Sequence, residues 1–233
     1  MSRMPLRREP VRLAHARADY ERAAAIADPL KLDAGLRRGK VQAMRAYVQA
    51  LLEEGYRDDA LSLAREMVAL AGLYEDEAFS RQCAAECCHA LARAYADLGT
   101  GEGLETAHQL VETLAHFAHA FPGHRELQVL LAAGGLLLLE AYADGRDLPA
   151  TQALHGALRD LAGWSGAGVA VLLPLAAATA RLLRLELAVG CHARARTLLR
   201  EAAALLERHA HLPELGRTLG ASLAEAERVL AAA

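Results

Sequence analysis

Residues Ala46–Met67 read AYVQALLEEGYRDDALSLAREM. Apolar residues at helical spacing run up to Gly55, acids follow it, and the apolar rhythm resumes at Ala60. A glycine ends a helix in a left-handed cap without steric cost, and the acids Asp58 and Asp59 suit a helix N-terminus. The stretch therefore reads as two helices meeting at a glycine tip. The same step, a glycine with an alanine five residues on, returns at Gly145/Ala150 and Gly190/Ala195, and the vacant rung near residue 100 is flanked by Gly99 and Gly101. This is a repeat of about 45 residues, and periods of roughly 20–50 residues mark stacked supersecondary units.

The alanine falls one turn into the second helix, where two backbones come closest and a larger side chain would wedge them apart. Further apolar positions follow on that face: Ala64 and Met67, Ala107, Val111 and Leu114, Leu154 and Ala157, Leu199 and Ala202. On the first helices, the residues four and eight before each glycine are Leu51 and Tyr47, Ala141 and Leu137, Glu186 and Leu182. Glu186 is the exception to this apolar pattern.

The chain has 233 residues, 54% apolar and only 4% aromatic. Helix formers dominate and strand formers are scarce, so the fold class is all-α. Ten helices are expected, over 9–27, 33–54, 57–72, 75–98, 104–120, 124–143, 148–162, 168–189, 191–210 and 214–231, the first ending before Asp28-Pro29. Connections this short make consecutive helices antiparallel neighbours. The chain is then one domain, 1–233, with repeats at about 33–73, 75–121, 124–163 and 168–210 between the flanking helices.

The hairpin with small residues at its tight contact and the Gly-x4-Ala step resembles the tetratricopeptide (TPR) superfamily, with Ala46–Met67 the best match. The units are about 11 residues longer than the family's, three extra turns shared between two helices. Closing prolines are missing from most units. The chain is similar to the lengthened, alanine-rich TPR-like arrays of bacterial regulators. The resemblance implies a right-handed α-α superhelix that binds a protein or peptide and catalyses nothing. It also implies a concave face lined by the first helix of each hairpin. On 33–54 that face carries Gln42, Arg45, Gln49 and Glu53; further along it offers Cys87, Asp97, Tyr142 and Arg184, spaced by Ala94, Gly135 and Ala180. Gly134-Gly135 points to a close helix crossing.

Other chemistries find little support. Cys83, Cys87, Cys88 and His89 are the one chemical-looking cluster, with Cys83 and Cys87 one turn apart; a zinc site would need His116 or His119 as well. A ligand-, metal- or redox-sensing domain is the alternative function. No phosphate loop, nucleophile elbow or triad spacing is present, so neither enzyme nor cofactor is expected. Residues 1–40 hold ten Lys or Arg against five Asp or Glu, while the rest of the chain is acidic, which argues against nucleic acid. The N-terminus lacks an apolar signal region, and the uncharged run 161–180 is broken by glycines and Pro174, so a cytoplasmic protein without a membrane span is expected. The apolar end of the last helix, Val229-Leu230-Ala-Ala-Ala, suits a second copy or a following domain.

Overall fold

A computed structural model describes residues 10–25, 33–73, 78–164 and 168–232. Among these residues the chain forms ten helices: α1 (Val11–Ala24), α2 (Ala34–Glu53), α3 (Arg57–Leu73), α4 (Ala78–Ala96), α5 (Gly101–Ala120), α6 (Arg125–Asp144), α7 (Leu148–Ala162), α8 (Val169–Ala188), α9 (His192–Arg208) and α10 (Pro213–Ala232). The all-α expectation and the order of elements hold. Asp28-Pro29 and the expected helix ends at 9, 26–27 and 75–77 lie outside the described residues. The run 161–180 is split between α7 and α8, which begins after Gly168 and carries Pro174 inside it.

Side chains start several helices as their residue types suggest. Asp33 accepts from the Leu36 amide at 2.9 Å, Thr100 from Gly103 at 3.1 Å and Asp147 from Ala150 at 3.1 Å. These caps satisfy amides that have no partner within the helix. Thr100 also explains why α5 begins three residues earlier than the glycine-rich segment suggests.

The tips repeat one hydrogen-bond pattern. At the end of α2 the Gly55 amide donates to Leu52 O (3.1 Å) and Tyr56 to Leu51 O (2.9 Å); at the end of α8 Gly190 donates to Leu187 O (3.1 Å) and Cys191 to Glu186 O (2.8 Å). Both are Schellman closures with the glycine left-handed, at φ +83° and +77°. After α6 the same pair of bonds slips one residue: Arg146 donates to Ala143 O and Asp147 to Tyr142 O. Gly145 stays right-handed at φ −72°, and Arg146 takes φ 58°. The inward position five residues after the tip residue is therefore Thr151, fully buried, rather than Ala150. Ala60 and Ala195 are fully buried as expected. Where Leu154 and Ala157 were expected inside, the buried pair is His155 and Leu158. In the second repeat Gly99 is the left-handed residue, at φ +64°, and Ala107, Val111 and Leu114 are buried.

The chain falls into two compact units, residues 1–95 and 96–233. The division lies inside the second expected repeat. In the first unit α2 packs on α1 and α3, Tyr95 on α4 donates to Asp58 Oδ1 on α3 at 2.8 Å, and the Cys87 thiol meets Met67 Sδ at 3.8 Å. In the second unit each helix packs on the next, and α6, α8 and α10 also pack on one another in sequence. Its main core joins Leu139, Leu158, Val171, Ala176 and Leu219. Among the described residues only α6 is long and apolar enough to cross a membrane by length and composition; it packs here against α5, α7 and α8, as a core helix does.

Candidate functional site: an apolar trough between helices 5 and 7

The glycine pair of α6 lets two neighbours close in. A β-carbon on Gly134 would stand 3.1 Å from Val111 Cγ2 and 3.2 Å from Leu114 Cδ1, both on α5; one on Gly135 would stand 3.1 Å from Leu158 Cδ2 on α7. The expected close crossing is what the two glycines provide. Because Gly135 carries no side chain, the space above it stays open. A cavity of about 350 Å³ lies there, walled by α5 and α7 and floored by α6. Val111 and Ala115 line one wall, Leu154, Ala157 and Leu158 the other, and Leu131, Gly135 and Leu138 the floor.

An edge-on pair of rings marks each end. His108 on α5 meets Tyr142 on α6 with ring centroids 6.1 Å apart at 77°, and its Nδ1 lies 3.2 Å from the Tyr142 hydroxyl. At the other end His119 meets Trp164 at 5.0 Å and 79°, and its Nδ1–H donates to Ala115 O at 2.7 Å. Burial raises the Tyr142 phenol above its usual range, with Asp147 and Glu105 adding to the shift. The rim carries two exposed carboxylates, Glu112 and Asp160. His108 Nε2 lies 3.7 Å from Glu112.

Further cavities open among the described residues of this unit. One of about 410 Å³ is polar, with Glu140, Asp144, Arg181, Arg184 and Thr218 on α6, α8 and α10, and Arg181 pairs with Asp144. Another, about 240 Å³, lies among α7, α8 and α9 over the buried His155. His155 Nε2 is 3.0 Å from Thr179 Oγ1, which itself donates to Leu175 O at 2.8 Å. The threonine proton is thus committed, and the imidazole Nε2–H is the donor to Thr179. Burial, reinforced by Arg159, lowers the His155 pKa to about 4.

The residues expected on one first-helix face divide as follows. Gln42, Gln49 and Glu53 are exposed on α2, where Glu53 pairs with Arg12 at 2.5 Å. Arg45 is half-buried, 3.0 Å from Glu86 Oε2 in an ion pair whose angle does not make a hydrogen bond. In the second unit Tyr142 and Arg184 do not share a face. Arg184 opens on the polar cavity beside Glu140 and Asp144, whereas Tyr142 lies half a turn away on α6, toward α5. Gly135 and Ala180 part in the same way, Gly135 to the trough and Ala180 to the polar cavity.

Cys87 is buried rather than presented on a face, as are Cys83 and Cys88. Burial raises all three thiols, Cys88 to about 12, which keeps them protonated and poor nucleophiles. Among the described residues no three His, Cys, Asp or Glu side chains converge as metal ligands.

Glu186 sits fully buried at the end of α8. Its Oε1 accepts from Gln152 Nε2 at 2.7 Å and faces Arg194 Nε at 3.4 Å. Arg194 belongs to the first turn of α9, whose N-cap Cys191 makes no side-chain cap bond. The carboxylate thus lies beside Cys191 and Arg194 at the positive end of α9, where a negative charge is favoured, while its Oε2 has no hydrogen-bond partner.

The trough itself was not read from the sequence. Its legible signals were Gly135 and the composition of α5, which carries Glu102, Glu105 and Glu112 and no Lys or Arg. Compared with protein-family models, curated proteins and solved structures, the chain finds no match.

Proposed function

We propose that this chain is a non-catalytic scaffold of the TPR-like helical-repeat kind, one that captures a segment of another protein. Two features support the repeat reading: the recurring Schellman closures, and the sequential packing of α6, α8 and α10 with α7 set between α6 and α8. A right-handed superhelical solenoid is the finer form of that reading. The observation that carries the binding reading is the α5–α7 trough. An apolar cavity of this size, open and edged by few polar groups, is how helical proteins receive a guest.

Affinity capture with crosslinking from the native lysate tests the reading. Ala157 is exposed on the trough wall, so Ala157→Phe fills the trough without disturbing the core. Captured species are expected to fall at least tenfold with this variant, a loss of roughly 1.4 kcal/mol, while the double variant Arg45→Glu/Arg184→Glu retains them. The reverse pattern would move binding to the first-helix face. Equal capture by all three proteins would remove the trough from the function.

A further inference from the structure

The structure points to the chemistry of the guest, on the premise that the trough is a partner-binding site: we infer that it receives a three-turn amphipathic helix with basic edges, contributed by another protein. The length comes from the walls. Between the ring pairs the trough runs along α5 from His108 to His119, eleven residues or about 16 Å at helical rise. Three turns of guest helix have the same length.

The helical form comes from hydrogen bonding. Both walls and the floor are helices whose backbone groups are already paired within themselves, and the lining is mostly aliphatic. An extended peptide laid there would leave its own amides and carbonyls with almost nothing to bond. A helix arrives with those groups satisfied and presents apolar side chains at i, i+4 and i+7 to the space over Gly135.

The basic edges come from charge. Helix α5 has three glutamates and no Lys or Arg. The one arginine of α7, Arg159, lies 3.7 Å from Glu201 of α9, beside the His155 cavity and not the trough. Among the described residues no Lys or Arg pairs with Glu112 or Asp160, so the two carboxylates stand one on each rim without a permanently charged partner, Glu112 meeting only the His108 imidazole. Lysines or arginines flanking the apolar stripe of a guest would meet them, and acidic flanks would be repelled.

The test is selection from a displayed library of random 14-residue peptides on the full chain, followed by titration. Trp164, the only tryptophan, sits at the end of the trough and reports occupancy by its emission. Recovered peptides are expected to carry apolar residues at i, i+3 or i+4 and i+7 between Lys or Arg, and to shift Trp164 emission to the blue. Their affinity should fall about three- to tenfold in Glu112→Gln/Asp160→Asn, as expected for two exposed charge pairs, and be lost in Ala157→Phe. Peptides without helical periodicity, with acidic flanks, or indifferent to the charge variant would overturn the inference, as would a selection that recovers none. So would a Trp164 shift produced by decylamine alone, which would make the guest a small lipophilic cation. If these arms fail while Ala157→Phe still abolishes capture from lysate, the scaffold reading stands and only the nature of the guest is wrong. If capture is also indifferent to Ala157→Phe, both fall.

Discussion

Arg146 holds φ 58°, where the β-carbon of an L residue crowds its own backbone. It stays there because the two Schellman bonds after α6 need a left-handed residue at that place, and Gly145 is one position too early. Arg146→Gly should therefore raise stability by about 0.5–1 kcal/mol in urea unfolding, the relief of strain outweighing the entropy glycine adds to the unfolded chain. Gly190→Ala should lower it by about 1 kcal/mol, and purely through conformation, because a β-carbon there meets no atom within 4 Å. His155 makes a prediction in pH. Its folded pKa of about 4 lies below the ordinary value near 6.5, so between the two the unfolded chain binds a proton that the native chain does not. Its contribution is complete above about pH 6.5 and is lost as the pH falls toward 4, some 2–3 kcal/mol by pH 4.5. His155→Leu should remove that part of the acid destabilisation, measured as the difference between unfolding free energies at pH 7 and 4.5. A variant with an unchanged slope would assign it to other groups.

At the scale of the helix, α6 is the element on which the second unit turns. Its two glycines look alike in sequence and differ in surroundings. Gly134 faces Val111 and Leu114, and the β-branched valine has little freedom to move; Gly135 faces Leu158, which can swing into the open trough. Alanine at either site gains about 1 kcal/mol in helix propensity. Gly135→Ala should keep most of that gain, whereas Gly134→Ala should lose it to overpacking, leaving the two variants about 1 kcal/mol apart in thermal or urea unfolding. The close crossing was legible from the cost of paired glycines inside a helix. Which neighbour each one admits was not, because that depends on how α6 rotates between α5 and α7. Tyr142 and Arg184 parted for the same reason. Counted from the left-handed tip residues, Tyr142 stands four before Arg146 and Arg184 six before Gly190, a two-residue difference that is about 200° of helix.

For the whole molecule, the helices and their order were readable because period, caps and breakers agree: Asp33, Thr100 and Asp147 act as their residue types suggest. The division at residues 95 and 96 was not readable, since no change of composition marks it. Trp164 lies in the second unit alone, while far-UV circular dichroism reports helices of both. The two unfolding curves in urea should therefore not coincide; coincident curves would show a single cooperative unit. The left-handed tip residues, at 55, 99, 146 and 190, carry one more consequence. Their steps are 44, 47 and 44 residues, so the middle step is longer by three, close to one helical turn. Three residues within a helix turn it by about 300°, nearly a full circle, so an insertion of that size returns an inner face close to its phase. Helix length can thus vary by whole turns, whereas a one-residue deletion within a helix would rotate everything beyond it by about 100° and put its core side chains in water.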